Sequence, residues 1–408
     1  MLEFTAVLFI VLAIIALLIK KDIFHPSFIV CGLWGTLLLI YWVADHPLWN
    51  LSNRFFLCII AWVVPFAIIA NIFSLRPVTL QRKKNHSNYI YPVNTDFFNK
   101  LFPLAIAVNI VTILVSIGAA GGFSFSQIRQ LYISNSIPSI LGLLLYACNF
   151  VYVLNIYALL HLKKLDKKKV ALLTFSVLVV FLFKSNKTSF LLYFITLLYV
   201  FHKNKVLNFY RLVLFTLIFV GLIVLVTINR LDFDFSTSEA IWNFIYIYLI
   251  SPLTAFDTLI NGGATLDSGS PGSGFLAFLY NVINVFGGSL QVSQLGTFID
   301  VPLPTNVFTI MRGPYLDAGV SGIILMSVIQ GTFYGLCYAE QKINKKFYPL
   351  FYALMVSTLF MQSFGDYLLY SFSSTLQYFI FSVLIAHGVT FRFRKGCPKV
   401  VVGGNEMA

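Results

Sequence analysis

Apolar runs of roughly 20 residues, parted by short polar gaps, recur along the whole chain, and as an α-helix each spans about 30 Å of hydrocarbon. Eleven runs are readable: 2–19, 27–44, 55–74, 101–119, 138–160, 170–183, 188–201, 210–228, 315–338, 347–364 and 373–390. A helix in lipid satisfies its own backbone N–H and C=O groups. The pattern therefore predicts an all-α integral membrane protein, with residues 1–408 forming one polytopic domain. The first run follows Glu3, lacks a basic lead-in and ends at Lys20-Lys21, so it reads as a retained span rather than a cleaved signal peptide.

Between 170 and 201 two short runs flank Lys184-Ser-Asn-Lys187. Read as two spans meeting at a turn, they place 22 of the 28 basic residues on one side of the membrane. These are Lys20/Lys21, Arg76/Arg82/Lys83/Lys84/Lys100, Lys163/Lys164/Lys167/Lys168/Lys169, Lys203/Lys205/Arg211, Lys342/Lys345/Lys346 and Arg392/Arg394/Lys395/Lys399. Positive residues stay cytoplasmic, so the expected topology has the N-terminus outside and the C-terminus inside. Read as one long helix, 170–201 would erase that bias, so two spans are expected.

A long segment, 231–314, then falls outside, between the eighth and ninth spans. It is rich in aromatic and aliphatic residues, which argues against disorder. The stretch that opens with Ile241–Ile250, interrupted by Ser251-Pro252 and ended by Gly262-Gly263, and the stretch Phe275–Tyr280 read as helices at or dipping into the membrane surface. Two extra spans here would give thirteen in all without changing the sidedness. Asp267–Gly274 and Gly287-Gly288 read as hinges of a lid, with a passive packing cap as the alternative.

Composition agrees: 59% of residues are hydrophobic and 11% charged, against about a quarter charged in soluble domains. The net charge of +13 sits in the gaps, with no basic surface long enough to track a phosphate backbone, so nucleic acid is not an expected partner. The five cysteines show neither disulfide nor metal spacing, and no metal or other cofactor is expected.

The six remaining basic residues carry the candidate chemistry: Arg54, Arg129, Lys184, Lys187, Arg230 and Arg312, all expected outside. Each is a headgroup anchor, the partner of a nearby acid, or an anion ligand. Arg230 ends the eighth span and Arg312 precedes the ninth, so both flank the loop at similar depth. Arginine's planar fork suits bidentate phosphate contact, whereas lysine offers a point charge. Hence Arg312 and Arg230, supported by Arg129, Lys184 and Lys187, are the expected anion ligands, and the resemblance given below makes that anion a lipid diphosphate. Asp317 stands beside Arg312 as a candidate catalytic acid or base. Asp232-Phe-Asp234 has metal-binding spacing but reads better as solvated acids after a span.

The stretch Thr309…Pro314-Tyr315-Leu-Asp317-Ala-Gly319-Val-Ser-Gly322 resembles the glycine-studded ninth-span motif of bacterial O-antigen or oligosaccharide repeat-unit polymerases of the Wzy type. Lys184-Ser-Asn-Lys187-Thr188 is similar to a "G-S-R-T" turn of that family, with lysine for the usual arginine. Tyr248…Pro252…Phe256-Asp257 is similar to its loop opening. The resemblance implies a GT-C-like glycosyltransferase of the bacterial inner membrane, acting in lipopolysaccharide or related polysaccharide biosynthesis. It would transfer a growing glycan from undecaprenyl diphosphate to a new lipid-linked repeat unit, in partnership with a chain-length regulator. Related ligases use a histidine in the large loop. Here the loop has none and His46 lies in a short hairpin, so the base stays open among Asp317, Asp300 and Asp232. A lipid-linked glycan flippase or transporter, and an O-antigen ligase, are the alternatives. Against a transporter stand the lack of an internal repeat and of midplane charges in most spans.

Overall fold

The structure, a computed structural model, describes the chain except residues 76–94, 134–136, 185–186, 207, 209, 212, 218–220, 222–237, 264–269, 271, 275–276, 292–297, 342, 344–345, 370 and 388–408. Its helices are α1 (Leu2–Lys20), α2 (Pro26–Val43), α3 (Asn53–Leu75), α4 (Thr95–Ala119), α5 (Phe125–Ile133), α6 (Ser139–Leu160), α7 (Lys167–Lys184) and α8 (Lys187–Lys203). They continue with α9 (Ser238–Leu249), α10 (Ser251–Ile260), α11 (Ala277–Val285), α12 (Arg312–Glu340), α13 (Tyr348–Phe360) and α14 (Phe372–His387). A short antiparallel pair, β1 (Ile299–Asp300) with β2 (Pro304–Thr305), precedes α12. Among the described residues six helices, α1–α4, α6 and α12, are long and apolar enough to cross a membrane, and shorter apolar helices join them. The chain is an all-α membrane protein. The eighth predicted run, 210–228, lies largely outside the described residues.

The helix ends sort into two groups. At one end Asp22 receives Lys203 at 3.1 Å and the Tyr338 hydroxyl at 2.9 Å, while Lys20 donates to Ser74 and Tyr352 to the Phe24 carbonyl. Thus the end of α1, the start of α2 and the ends of α3, α8 and α12 meet α13 on one side, as the charge pattern requires. At the opposite end Ser52 donates its N–H and hydroxyl to Asp257, and Tyr246 donates to the Asp45 carbonyl.

Residues 170–201 form two helices that double back. In one continuous helix Phe181 and Tyr193 would lie about 18 Å apart along the axis. Their rings are instead 5.5 Å apart, and Asn155 of α6 joins both helices, donating to Thr174 and accepting from Tyr193.

Three features sharpen the sequence reading. Of the two placements expected for the 241–260 stretch, α10 takes the inserted one: Leu253, Ala255 and Phe256 are fully buried, and Phe256 meets Phe55 of α3 and Tyr315 of α12. α12 is broken at Ala318–Gly319, where Gly319 takes φ 61°, a backbone conformation suited to glycine. Third, α13 stops at Phe360, short of the predicted 364.

α12 packs along α3, with Ser327 donating to the Trp62 carbonyl at 2.6 Å. A Cβ on Gly331 would come within 3.0 Å of the Phe66 carbonyl oxygen, and one on Gly335 within 2.8 Å of that of Ala70. These glycines serve close helix approach. Gly335→Leu should therefore force the pair apart, destabilising the bundle by at least the 1–3 kcal/mol typical of overpacking. Thermal melting of the purified chain in detergent checks this, with Gly142→Leu, where a Cβ would meet nothing within 4 Å, as the tolerated control.

Candidate functional site

The site begins with a helix too short for its task. α13 has 13 residues, about 20 Å of helix against about 30 Å of hydrocarbon. The described residues of the following loop, 361–369, consequently run inside the protein. Gln362 is buried there, and its Oε1 accepts the indole N–H groups of Trp34 and Trp62 at 3.1 and 3.0 Å. Both tryptophans lie near the midpoints of their helices, so the loop reaches that depth. Irregular backbone at membrane depth is tolerated where protein buries it or where it lines an aqueous cavity.

A cavity lies against this loop. It has a volume of about 330 Å³ and is lined by residues 306–310, 312–314 and 316, by Ser273 and Gly274, and by residues 364–367 and Ser371. Arg312 lines it, only 4% exposed, with its guanidinium carbon 4.9 Å above the centre of the Phe308 ring. That cation–π contact orients a charge which the surrounding apolar bundle would otherwise disfavour. The Ile310 N–H donates to the Gln362 carbonyl at 2.8 Å, tying the arginine segment to the internal loop.

Asp366 lines the same cavity. One oxygen accepts the N–H groups of Leu368 and Leu369 at 2.9 and 3.0 Å, and the other accepts the Gln330 amide at 3.0 Å. By area it is half-buried, because one side opens onto the cavity, but protein encloses it otherwise. Burial pushes its pKa above the usual carboxylate range, and the three hydrogen bonds pull against that shift without cancelling it. A cation and a proton-accepting carboxyl thus share one recess inside an apolar bundle. Such an arrangement can hold an anion and move a proton.

Asp317 takes another position. Its Oδ1 accepts the N–H groups of Gly272 and Gly274 at 3.1 and 3.2 Å. Gly274 and Gly313 meet backbone to backbone, since a Cβ on either would fall within 2.4 or 2.3 Å of the other's carbonyl oxygen. The described part of the predicted 267–274 hinge is therefore pinned to the start of α12, with Ser273 buried. Asp317→Ala should release this linker, raising its cleavage by protease severalfold while leaving the helical bundle's melting temperature nearly unchanged. Limited proteolysis of the purified chain reads the difference.

Of the other predicted residues, Lys184 lines a second cavity of about 230 Å³ that shares Tyr367 and Ser371 with the first. Arg129 is half-buried on α5 and lines neither cavity. Lys187 opens α8. Asp300 is exposed on β1, and Arg54 is exposed beside the Ile260 carbonyl. Arg230, Asp232 and Asp234 lie outside the described residues. Cys31, Cys58, Cys148 and Cys337 are buried free thiols. Among the described residues no three His, Cys, Asp or Glu side chains gather as metal ligands do.

Asp366 escaped the sequence reading as a site residue. The available signal was Gly365-Asp366 in the short gap before the last span, an acid where the chain re-enters the membrane. Compared with protein-family models, curated proteins and solved structures, the chain matches none.

Proposed function

We propose that this protein is a GT-C-like membrane glycosyltransferase that polymerises undecaprenyl-diphosphate-linked oligosaccharide units into a surface polysaccharide. The observation that carries the reading is that the buried Arg312 and the half-buried Asp366 line one cavity, walled by irregular backbone inside a membrane bundle. Arg312 binds the diphosphate of the donor glycan. The bond between the donor sugar's anomeric carbon and the diphosphate breaks, and the diphosphate leaves with the electron pair. The acceptor hydroxyl oxygen bonds to that carbon and its proton passes to Asp366. Positive charge beside the leaving diphosphate stabilises the transition state without a metal ion.

The cavity lies at the start of α12, the end of the bundle remote from Asp22, which the basic-residue pattern assigns to the outer face of the cytoplasmic membrane. Lipid-linked glycans wait on that face, and nucleotide sugars do not. α11 presents exposed Leu279, Val282 and Ile283, an apolar edge suited to a substrate arriving from the bilayer. The 231–314 segment forms the outer loop of this enzyme, and a chain-length regulator is its expected partner.

Deletion of the gene, followed by gel analysis of surface glycan, tests the reading. A single repeat unit per lipid is the expected outcome. Complete absence of surface glycan points instead to a flippase or a ligase.

A further inference from the structure

The second cavity has a chemistry of its own. It lies between α6, α7, α8, α13 and α14, and its 230 Å³ falls below the 300–1,000 Å³ of pockets for drug-sized ligands, on the scale of one sugar ring. Its polar wall is rich in hydroxyl groups, among them Thr188, Ser189, Ser357 and Ser374. Tyr152, Tyr378 and Phe181 add aromatic faces. This mixture suits a pyranose, whose hydroxyls seek hydrogen bonds while its C–H faces lie against rings. Lys184, half-buried at the end of α7, supplies the cavity's cationic group, and among the described residues no carboxylate forms an ion pair with it. A lone ammonium group in an apolar bundle favours an anionic occupant.

We infer that this chamber binds a sugar ring bearing a carboxylate or phosphate group, with Lys184 pairing with that group. Tyr367 and Ser371 wall both cavities, and Tyr367 hydrogen-bonds Thr188 across the join. The sugar therefore lies next to the loop that carries Asp366. On the polymerase reading, on which this last step rests, it is the non-reducing terminal sugar of the acceptor, and the chamber selects acidic repeat units.

The test is ligand-observed NMR titration of the purified full chain in phosphatidylcholine nanodiscs. The probes are glucuronic acid, glucose 1-phosphate and neutral glucose. Both acidic sugars should saturate the wild type at least about tenfold more tightly than glucose, the increment of one charge-assisted hydrogen bond. Lys184→Met should reduce them to the level of glucose, and Lys184→Arg, which keeps the charge, should restore most of the difference. Equal binding of glucose and glucuronic acid by the wild type would overturn the inference whatever the variants do. So would displacement of both acidic sugars by phosphatidylglycerol added to the nanodiscs, which would make Lys184 a headgroup site. Sugar binding that follows Lys184 in a protein whose deletion leaves polymer length unchanged would uphold the chamber and defeat only the polymerase reading.

Discussion

Asp366→Asn should lower glycan transfer by about 10²–10⁴-fold, the usual contribution of a positioned general base. The substitution keeps the shape of the side chain. Asparagine's oxygen can still accept from Leu368 and Leu369, and Gln330 can turn its amide to accept from the new NH₂ group. Folding should not suffer, and the sign of the pKa shift says why. Burial raises the carboxyl's pKa in the folded state, so its contribution to stability is fully present below the unfolded value and is lost as pH rises through the folded one. An amide loses nothing in that window, so the variant should be at least as stable as wild type at neutral pH. The same sign governs activity, because the base acts when ionised. Wild-type transfer should rise with pH through an inflection above the ordinary carboxylate range, and that inflection should vanish from the residual activity of Asp366→Asn. Rate against pH in membranes at matched protein abundance, alongside thermal melting, checks both statements.

Arg312→Lys should cost around 3 kcal/mol of transition-state stabilisation, or about a hundredfold in rate. Lysine keeps the charge but loses the planar fork that contacts two phosphate oxygens at once. It also loses the flat face that stacks on Phe308. The effect should appear as short glycan ladders at normal membrane abundance. Lys168→Ala, at the opposite end of the bundle on α7, should leave ladder length unchanged. Normal ladders from Arg312→Lys would reduce Arg312 to a buried structural cation.

Much of this fold is legible in the sequence, because lipid imposes one rule on every span. Apolar runs mark the helices to within a few residues, and the basic gaps assign their ends to two groups. The break at Lys184–Lys187 is legible for the same reason, since only a turn there keeps the charges sorted. The internal loop is not. Met361 and Phe364 continue the apolar pattern of α13 past Phe360, because a loop buried inside a membrane protein must itself be partly apolar, so the end of the helix leaves little mark. The Gln362 clamp joins residues 328 and 300 positions apart, a separation that local periodicity does not address. Gly272–Gly274 shows the opposite failure. Glycine and serine there read as flexibility, whereas the glycines permit close backbone approach to Gly313 and present N–H groups to Asp317. Arg312 was legible, as a costly charge at a membrane boundary. Asp366 carries the same signal, but so do other acids near the predicted span ends, Asp257 and Asp317 among them, and only the fold brings this one to the arginine's cavity.

Reconstitution tests the central claim most directly. The purified chain is placed in liposomes with an undecaprenyl-diphosphate-linked repeat unit containing an acidic sugar, and both glycan length and released undecaprenyl diphosphate are measured. A ladder of products, with one undecaprenyl diphosphate released for each new linkage and both lost in Asp366→Asn, is the predicted result. Movement of the lipid-linked unit across the bilayer, with no lengthening and no released diphosphate, would contradict it.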